Sequence, residues 1–330
     1  MLTIHGNRRS GGQATPDLAG LEVPGAGGWI DLLDPSAEEI AAVERATRIT
    51  LPTREQLSEV EVSSRLRRVG QTLYIALPVV FRGETGLTRI TPVGFILSAE
   101  HLVTLRFEPL KAFETCKEKV DRAEISHPST VSTFVALLEA IVDRLADILE
   151  EAGGEIDHVA EDIFGKDLDR KPSDQPKAED RKLRLVLRRV GRSRQLISKV
   201  RATLLAIGRI VPYVETEGEE WLPEEAKPRL ETVRHDVESL DEYEVHLSDK
   251  VQFLLDADLG LINIEQNDRF RILTVVSIIG IPPTFVASLY GMNFKHMPEL
   301  DWAYGYPYGL ALIAASAIIP MVYFRIKGWL

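Results

Sequence analysis

The spacing of hydrophobic and polar positions changes twice along the chain. From Arg65 apolar residues alternate: Leu73, Ile75 and Leu77 interleave with Tyr74 and Ala76. Val93, Phe95 and Leu97 repeat this after a glycine-marked turn at 83–86, and residues 102–107 offer a further strand. A period of two is the strand signature. Strands this close in sequence predict a mixed, mainly antiparallel sheet with helices on both faces, an α+β soluble domain. Order is expected to begin at Trp29-Ile30-Asp31-Leu32. Asp34-Pro35-Ser36 then starts a helix over 37–47, and Thr53-Arg54-Glu55-Gln56 has capping-box spacing for a second short one. Residues 1–28, rich in glycine and small polar residues, read as a flexible tail with room for one short edge strand.

After Pro128 the period moves to three and four. Phe134, Leu137, Leu138, Ile141, Leu145 and Ile148 mark one apolar face of a long helix. Its end is acidic (Glu150, Glu151, Glu155, Asp157, Glu161, Asp162). After a charged turn over 166–176 comes a basic helix with Arg181, Lys182, Arg184, Arg188, Arg189, Arg192 and Arg194. This helix reads either as a surface for nucleic acid or lipid headgroups, or as the basic half of an antiparallel pair. Acidic and basic segments flanking one turn favour the pair. The basic helix is expected to close at Pro212, before an acidic loop. Pro223-Glu224-Glu225 then suits the first turn of a very long helix. Val233, Val237, Leu240, Leu247, Val251, Leu254 and Leu261 form a near-heptad seam along it, suggesting packing between subunits. Continued to Tyr290, about 67 residues make a rod on the order of 100 Å.

Two uncharged runs close the chain, 272–294 and 302–324, each of 23 residues. About 20 apolar residues span the hydrocarbon core as a helix. Arg269 and Arg271 precede the first run, and Arg325 and Lys327 follow the second. By the positive-inside rule both termini are cytoplasmic. Trp302, Tyr304, Tyr306 and Tyr308 form an aromatic cluster at the outer interface. Two crossings per chain cannot enclose a pore, so a conducting form must be a homo-oligomer in the lipid bilayer.

Between the runs stands Tyr290-Gly291-Met292-Asn293-Phe294, followed by Met297-Pro298-Glu299-Leu300. In this position the two motifs resemble the signature of the CorA-type magnesium transporters. Trp-Ile-Asp-Leu-Leu-Asp-Pro and Val-Thr-Leu-Arg, less specific, are similar to that family's soluble domain. The resemblance implies a funnel-shaped homopentamer in the plasma (inner) membrane, with the first crossing lining the pore. It also implies passive influx of magnesium, with cobalt and nickel as further substrates, gated by intracellular magnesium. Gly291, Met292 and Asn293 would form the selectivity filter and Glu299 would stand in the external loop. Asn267, Phe270, Leu273, Ser277, Ile281, Thr284 and Ser288 would line the pore. Counted back from Asn293 without a gap, Asn267 and Thr284 match polar pore positions of the family. Phe270, Leu273 and Ile281 fall on its apolar constrictions, with Phe270 and Ile281 in place of methionines that some members carry. Asp256 falls on a position associated with bound divalent ions, and Asp258 joins it as a regulatory metal ligand. The organisation expected is a tail (1–28), α/β domain (29–127), helical hairpin (128–222), stalk (223–269) and pore helix (270–294). An external loop (295–305), second crossing (306–324) and basic cytoplasmic tail (325–330) complete it.

The chemistry of these residues is consistent with magnesium. The ion demands octahedral oxygen coordination and sheds water reluctantly. Carbonyls of a ring of Asn293 amides would accept hydrogen bonds from the ion's own waters, where carboxylates would hold it more tightly. Gly291 would let the chain turn where the helix ends. A thioether is a poor ligand for a hard cation, so Met292 is read as packing. Ser277, Thr284 and Ser288 line one face, although hydroxyls in membrane helices also simply return hydrogen bonds to the backbone. Pro282-Pro283 reads as a hinge or a bend.

Composition removes other classes. A net charge of −11 over 330 residues argues against a general nucleic-acid binder. The single cysteine, Cys116, excludes an internal disulfide and a cysteine-rich metal site. No apolar run follows Arg8 and Arg9, so no secretory signal is expected. The 7 histidines lack paired metal spacing, and no phosphate-binding Gly-x-x-x-x-Gly-Lys-Ser/Thr loop occurs, so neither a zinc enzyme nor an ATP-driven pump is expected. Two alternatives remain: a zinc-transporting member of the same superfamily, and a membrane-anchored regulatory or scaffold protein.

Overall fold

The computed structural model describes residues 1–5, 21, 28–59, 61–83, 88–122, 129–164, 176–293, 297–299 and 301–329, with backbone alone at 62, 63, 121 and 176–183. Most of the tail reading, the 83–86 turn, the 166–176 turn and the side chains of Arg181 and Lys182 lie outside this set. The chain divides into two units, Met1–Leu254 and Leu255–Leu330.

The first unit is built on a six-stranded sheet in the order β1-β2-β6-β5-β4-β3. Its strands are β1 (Leu2–His5), β2 (Gly28–Leu33), β3 (Leu66–Val69), β4 (Thr72–Arg82), β5 (Thr88–Leu97) and β6 (His101–Arg106). β1 is the expected edge strand, antiparallel to β2. Among the described strands only β2 and β6 pair in parallel, which makes the sheet mixed. Alternation along the strands separates two faces. Ile30, Leu32, Ile96, Val103 and Leu105 join Val43, Ile49, Leu51 and Leu57 from α1 (Ala37–Thr47), α2 (Arg54–Leu57) and the residues between them. On the other face Phe95 packs against Phe113 of α4 (Lys111–Asp121) and Phe134 of α5 (Thr130–Phe164), with ring centroids 6.2 and 5.4 Å apart. Helices thus cover both faces. Local chemistry starts them as expected: Ser36 with Glu39, and Thr53 with Gln56, close reciprocal capping boxes. A four-residue helix, α3 (Val62–Arg65), leads into β3.

α5 and α6 (Pro176–Glu217) form the acidic–basic pair. Arg189 Nε donates to Glu155 at 2.6 Å and its Nη1 to Asp162 at 3.1 Å. Pro212 does not close α6, which runs five residues further. An interior proline costs about 3 kcal/mol. Here Ile210, Val211 and Val214 are fully buried around it, and each such side chain contributes about 1.5–3 kcal/mol, enough to carry the helix through.

α7 (Ala226–Tyr290) is a single helix of 65 residues and belongs to both units. It begins three residues later than expected: Pro223 to Glu225 form a turn, with Ala226 N–H donating to the Pro223 carbonyl at 2.9 Å. The seam is also used differently. Val233, Val237, Leu247, Val251 and Leu254 are buried within the one chain, so that stretch is not left open for a subunit contact. Gly153 of α5 sits under Tyr243 and Leu247, where an added Cβ would lie 2.6 Å from the tyrosine hydroxyl. Arg229 grips Glu139 through two hydrogen bonds of 2.6 and 2.9 Å, and Lys250 pairs with Asp157. Leu240 and Leu261 are half-buried.

The second unit holds the rest of α7 and α8 (Gly305–Ile326). Both helices are long and apolar enough to cross a membrane, and the most apolar stretch of each is almost entirely unburied among the described residues. The core helix of a soluble protein would be covered there; these two stretches are not.

Candidate functional site

The apolar half of α7 has two distinguishable sides. At about 100° per residue, Phe270, Leu273, Ser277, Ile281, Thr284 and Ser288 fall within an arc of about 80°. Val275, the residue most buried in this stretch, lies on the opposite side with half-covered Pro282 and Val286. The expected pore residues lie opposite that covered side, with Ser277 half-buried, and Ile272, Val276 and Phe285 outside the arc are exposed as well. Asn267 stands at the margin of the arc and is exposed. Thr274, which the sequence reading does not include, lies between Asn267 and Ile281 on the same margin; its spacing of seven from both was the available signal.

Three hydroxyls on this stretch have their protons committed. Thr274 donates to the Phe270 carbonyl at 2.8 Å, Ser277 to Leu273 at 2.8 Å and Thr284 to Gly280 at 2.9 Å. The backbone-bonding alternative is thus realised at Ser277 and Thr284, and it does not empty the site. A hydroxyl that donates inward keeps its lone pairs for acceptance, which suits the outward-pointing hydrogens of a hydrated cation. Pro282 and Pro283 lie inside the helix, which continues through them.

α7 ends at the tripeptide. Gly291 N–H donates to the Ala287 carbonyl at 3.0 Å and Met292 N–H to Leu289 at 3.4 Å. Gly291 is not in the left-handed region, contrary to the expectation of a conformationally required turn. Its constraint is proximity, since a Cβ there would come 3.2 Å from the Ala287 carbonyl oxygen. Met292 is half exposed rather than packed within the chain. Asn293 is exposed and bonds to no other described residue, so its amide is available. Residues 294–296 and Leu300 lie outside the described set. Glu299 is exposed, and its carbonyl abuts Gly305 so closely that an added Cβ would collide with it. Trp302 meets Tyr304 edge-on and Tyr308 at a tilt, with centroids 6.3 and 5.7 Å away.

The two regulatory candidates are not brought together. A spacing of two puts Asp256 and Asp258 about 200° apart around a helix. Asp256 is exposed. Asp258 is 1 % exposed, and neither carboxylate oxygen has a hydrogen-bond partner among the described residues. Burial raises its pKa above the ordinary 3.8. No group of three or more histidine, cysteine, aspartate or glutamate side chains suited to a metal occurs among the described residues.

A three-layer soluble unit, a very long helix and two apolar C-terminal helices ending and starting at an exposed Gly-Met-Asn loop define a membrane transport protein. Residues 26–326 match the model of the CorA-like Mg2+ transporter protein family, and the chain belongs to that family. The magnesium transport proteins CorA of Haemophilus ducreyi and Haemophilus influenzae are 32% and 31% identical to it over 302 and 303 residues, 92% of each chain in both cases. The complete CorA magnesium transporter of Methanocaldococcus jannaschii has the same fold, with a TM-score of 0.75 at 20% identity, over 92% of this chain and 91% of that one.

Proposed function

We propose that this chain carries magnesium passively into the cytoplasm as a homopentamer in the inner membrane, with cobalt and nickel as further substrates. The observation that carries the reading is the arc of α7 beneath Asn293, where Ser277, Thr284 and Ser288 stand with Phe270, Leu273 and Ile281. Residues 270–294 form the pore helix, Asn267, Phe270, Leu273, Ser277, Ile281, Thr284 and Ser288 line it, and Gly291, Met292 and Asn293 form the filter. Glu299 stands in the external loop of 295–305. The second crossing is 306–324, and both termini, with the basic tail of 325–330, are cytoplasmic. The α/β domain (29–127), hairpin (128–222) and stalk (223–269) respond to intracellular magnesium through Asp256. The membrane potential supplies roughly 2.3 kcal/mol per charge per 100 mV, doubled for a divalent ion.

Relatives named as magnesium transport proteins support magnesium over zinc. A scaffold would leave the uncovered polar positions of α7 without a task. The test is flux of magnesium, cobalt, nickel and zinc into liposomes holding purified protein, with mass measured in the same preparation. The reading expects magnesium uptake by a particle of about five times 36.9 kDa. An inserted protein that passes no divalent cation, or an active dimer, would overturn it.

A further inference from the structure

α8 stops at a turn that its own residues prescribe. Lys327 is its C-cap residue, and Gly328 follows in the left-handed region at φ +69°, which glycine adopts without steric cost. Trp329 N–H then donates to the Phe324 carbonyl at 2.9 Å, and Gly328 N–H to the Arg325 carbonyl at 3.2 Å. This pair of bonds is a Schellman motif, which turns the chain back along the helix it leaves. Trp329 lands on Phe324, with ring centroids 5.6 Å apart and planes 19° from parallel. Phe324 is the one buried residue of α8 among those described. The stretch after the second apolar run is therefore a folded turn and not a free tail.

The cap needs only an apolar contact from Trp329, and that contact leaves much of the indole unused. Trp329 stays 46% exposed, beside the exposed Tyr323 and Ile326. Arg325 and Lys327, also exposed, flank it. An apolar ring with one N–H donor, set among cations where an uncharged helix ends, is the composition of the boundary between headgroups and acyl chains. The length of α8 agrees. Its 22 residues, at about 1.5 Å each, make about 33 Å against a hydrocarbon core of about 30 Å. Trp302 with Tyr304 and Tyr308 stands at its start, so aromatic side chains bracket a helix of one membrane thickness.

We infer that residues 325–329 form an interfacial anchor: the indole of Trp329, held on Phe324, seats at the headgroup–acyl boundary of the leaflet where α8 ends and fixes the depth of that helix. Gly328 supplies the turn and the ring supplies the apolar surface. The indole N–H is a donor for a lipid ester carbonyl, and the stems of Arg325 and Lys327 let their charges extend to the phosphates. The inference rests on the assignment of α8 as a membrane span.

Full-length protein in phosphatidylcholine nanodiscs is compared with a Trp329→Phe variant, and the difference in emission isolates Trp329 among the 4 tryptophans. Phosphatidylcholine brominated on the acyl carbons nearest the glycerol should quench that difference strongly, and bromine near the chain ends should quench it less. A second arm reads the depth of the helix end. Cys116 is fully buried, so an Ile326→Cys variant carries one accessible thiol. Trp329→Leu keeps an apolar contact on Phe324 but not the interfacial preference of an aromatic ring. Added to Ile326→Cys, it should speed labelling by a membrane-impermeant maleimide roughly fivefold, whereas Trp329→Tyr should keep the slow rate. Equal labelling rates with tryptophan and leucine at 329 would make the ring a helix cap only and overturn the anchor. So would emission from a recovered chain that neither brominated lipid quenches, which would assign the ring to water or to a protein contact. A chain not recovered in discs at all would overturn the span assignment and the anchor with it, and disc recovery reads that result separately.

Discussion

Asp31 and Arg106 form a buried two-pronged pair across the parallel strands β2 and β6, with Nη2 2.7 Å from Oδ2 and Nε 3.1 Å from Oδ1. Thr104 donates to the same carboxylate at 2.7 Å, and Trp29 Nε1 donates to Thr104 at 2.9 Å. The guanidinium also lies 4.9 Å from the centre of the Phe113 ring. The pair thus ties the sheet to α4. Its removal on one side leaves an uncompensated buried charge, which costs roughly 3–5 kcal/mol. Asp31→Ala should therefore lower the melting temperature of the full-length protein sharply, while Asp31→Leu with Arg106→Met should recover much of the loss. Equal melting of all three proteins would show the network to be dispensable.

The same network marks the boundary of what was legible in the sequence. Trp29-Ile30-Asp31 and Val103-Thr104-Leu105-Arg106 stand out as phrases, but their pairing joins residues more than 70 positions apart, and no local period encodes a parallel partner. Hairpin strands and capping boxes were legible because their partners are near in sequence. The uncharged runs were legible because membrane burial demands composition over a fixed length. The seam on α7 shows the converse. Its spacing announces an apolar stripe but not its occupant, and α5 and α6 cover Val237 and Leu247 before any second chain can. Pro212 failed as a stop signal because burial of Val211 and Val214 outweighs one lost hydrogen bond. At the site, spacing alone places Phe270, Leu273, Ser277, Ile281, Thr284 and Ser288 on one arc of α7. It paired Asp256 with Asp258, which helical geometry separates.

Acid should loosen the α5–α6 pair. The hydrogen bond from Arg189 holds the Glu155 carboxyl below its ordinary value of 4.5. A depressed acid contributes stability that is present above that ordinary value and is lost as pH falls through the lower folded one. Both side chains are partly exposed, so the contribution is at most about 1 kcal/mol. Melting temperatures of the parent and an Arg189→Gln variant should differ slightly at neutral pH and converge once the pH falls below the lowered folded value of Glu155. A constant gap down to strongly acidic pH would assign the difference to packing of the arginine stem instead.

Asn293 tests the filter. Its amide has no structural employment among the described residues, so Asn293→Ala should insert and assemble normally. Each hydrogen bond lost to the hydrated ion is worth about 1 kcal/mol, and a ring loses several, so flux should fall by roughly tenfold or more. Asn293→Asp should bind the ion more tightly and slow its release. Stopped-flow magnesium entry into proteoliposomes measures both. Undiminished entry through a well-inserted Asn293→Ala protein would remove Asn293 from the filter.

Asp256 and Asp258 should separate in a paired experiment. Exposed Asp256 can present its carboxylate to an ion, and copies of it on adjacent subunits would repel one another unless a cation bridges them. Bound magnesium would then favour the closed arrangement by differential binding. Asp256→Asn should shift closure to higher internal magnesium, with melting temperature little changed. Asp258 has no such access in the chain, since its oxygens are buried without hydrogen-bond partners among the described residues. An unsatisfied buried polar group costs about 1–3 kcal/mol, more when charged. Asp258→Asn removes the charge at nearly constant shape, so it should raise the melting temperature and leave the closing concentration where it was. Flux against internal magnesium and thermal melting, measured on both variants, decide between the roles. If Asp258→Asn shifted closure and Asp256→Asn did not, the buried aspartate would be the sensor, and the helix would have to rotate or open to expose it.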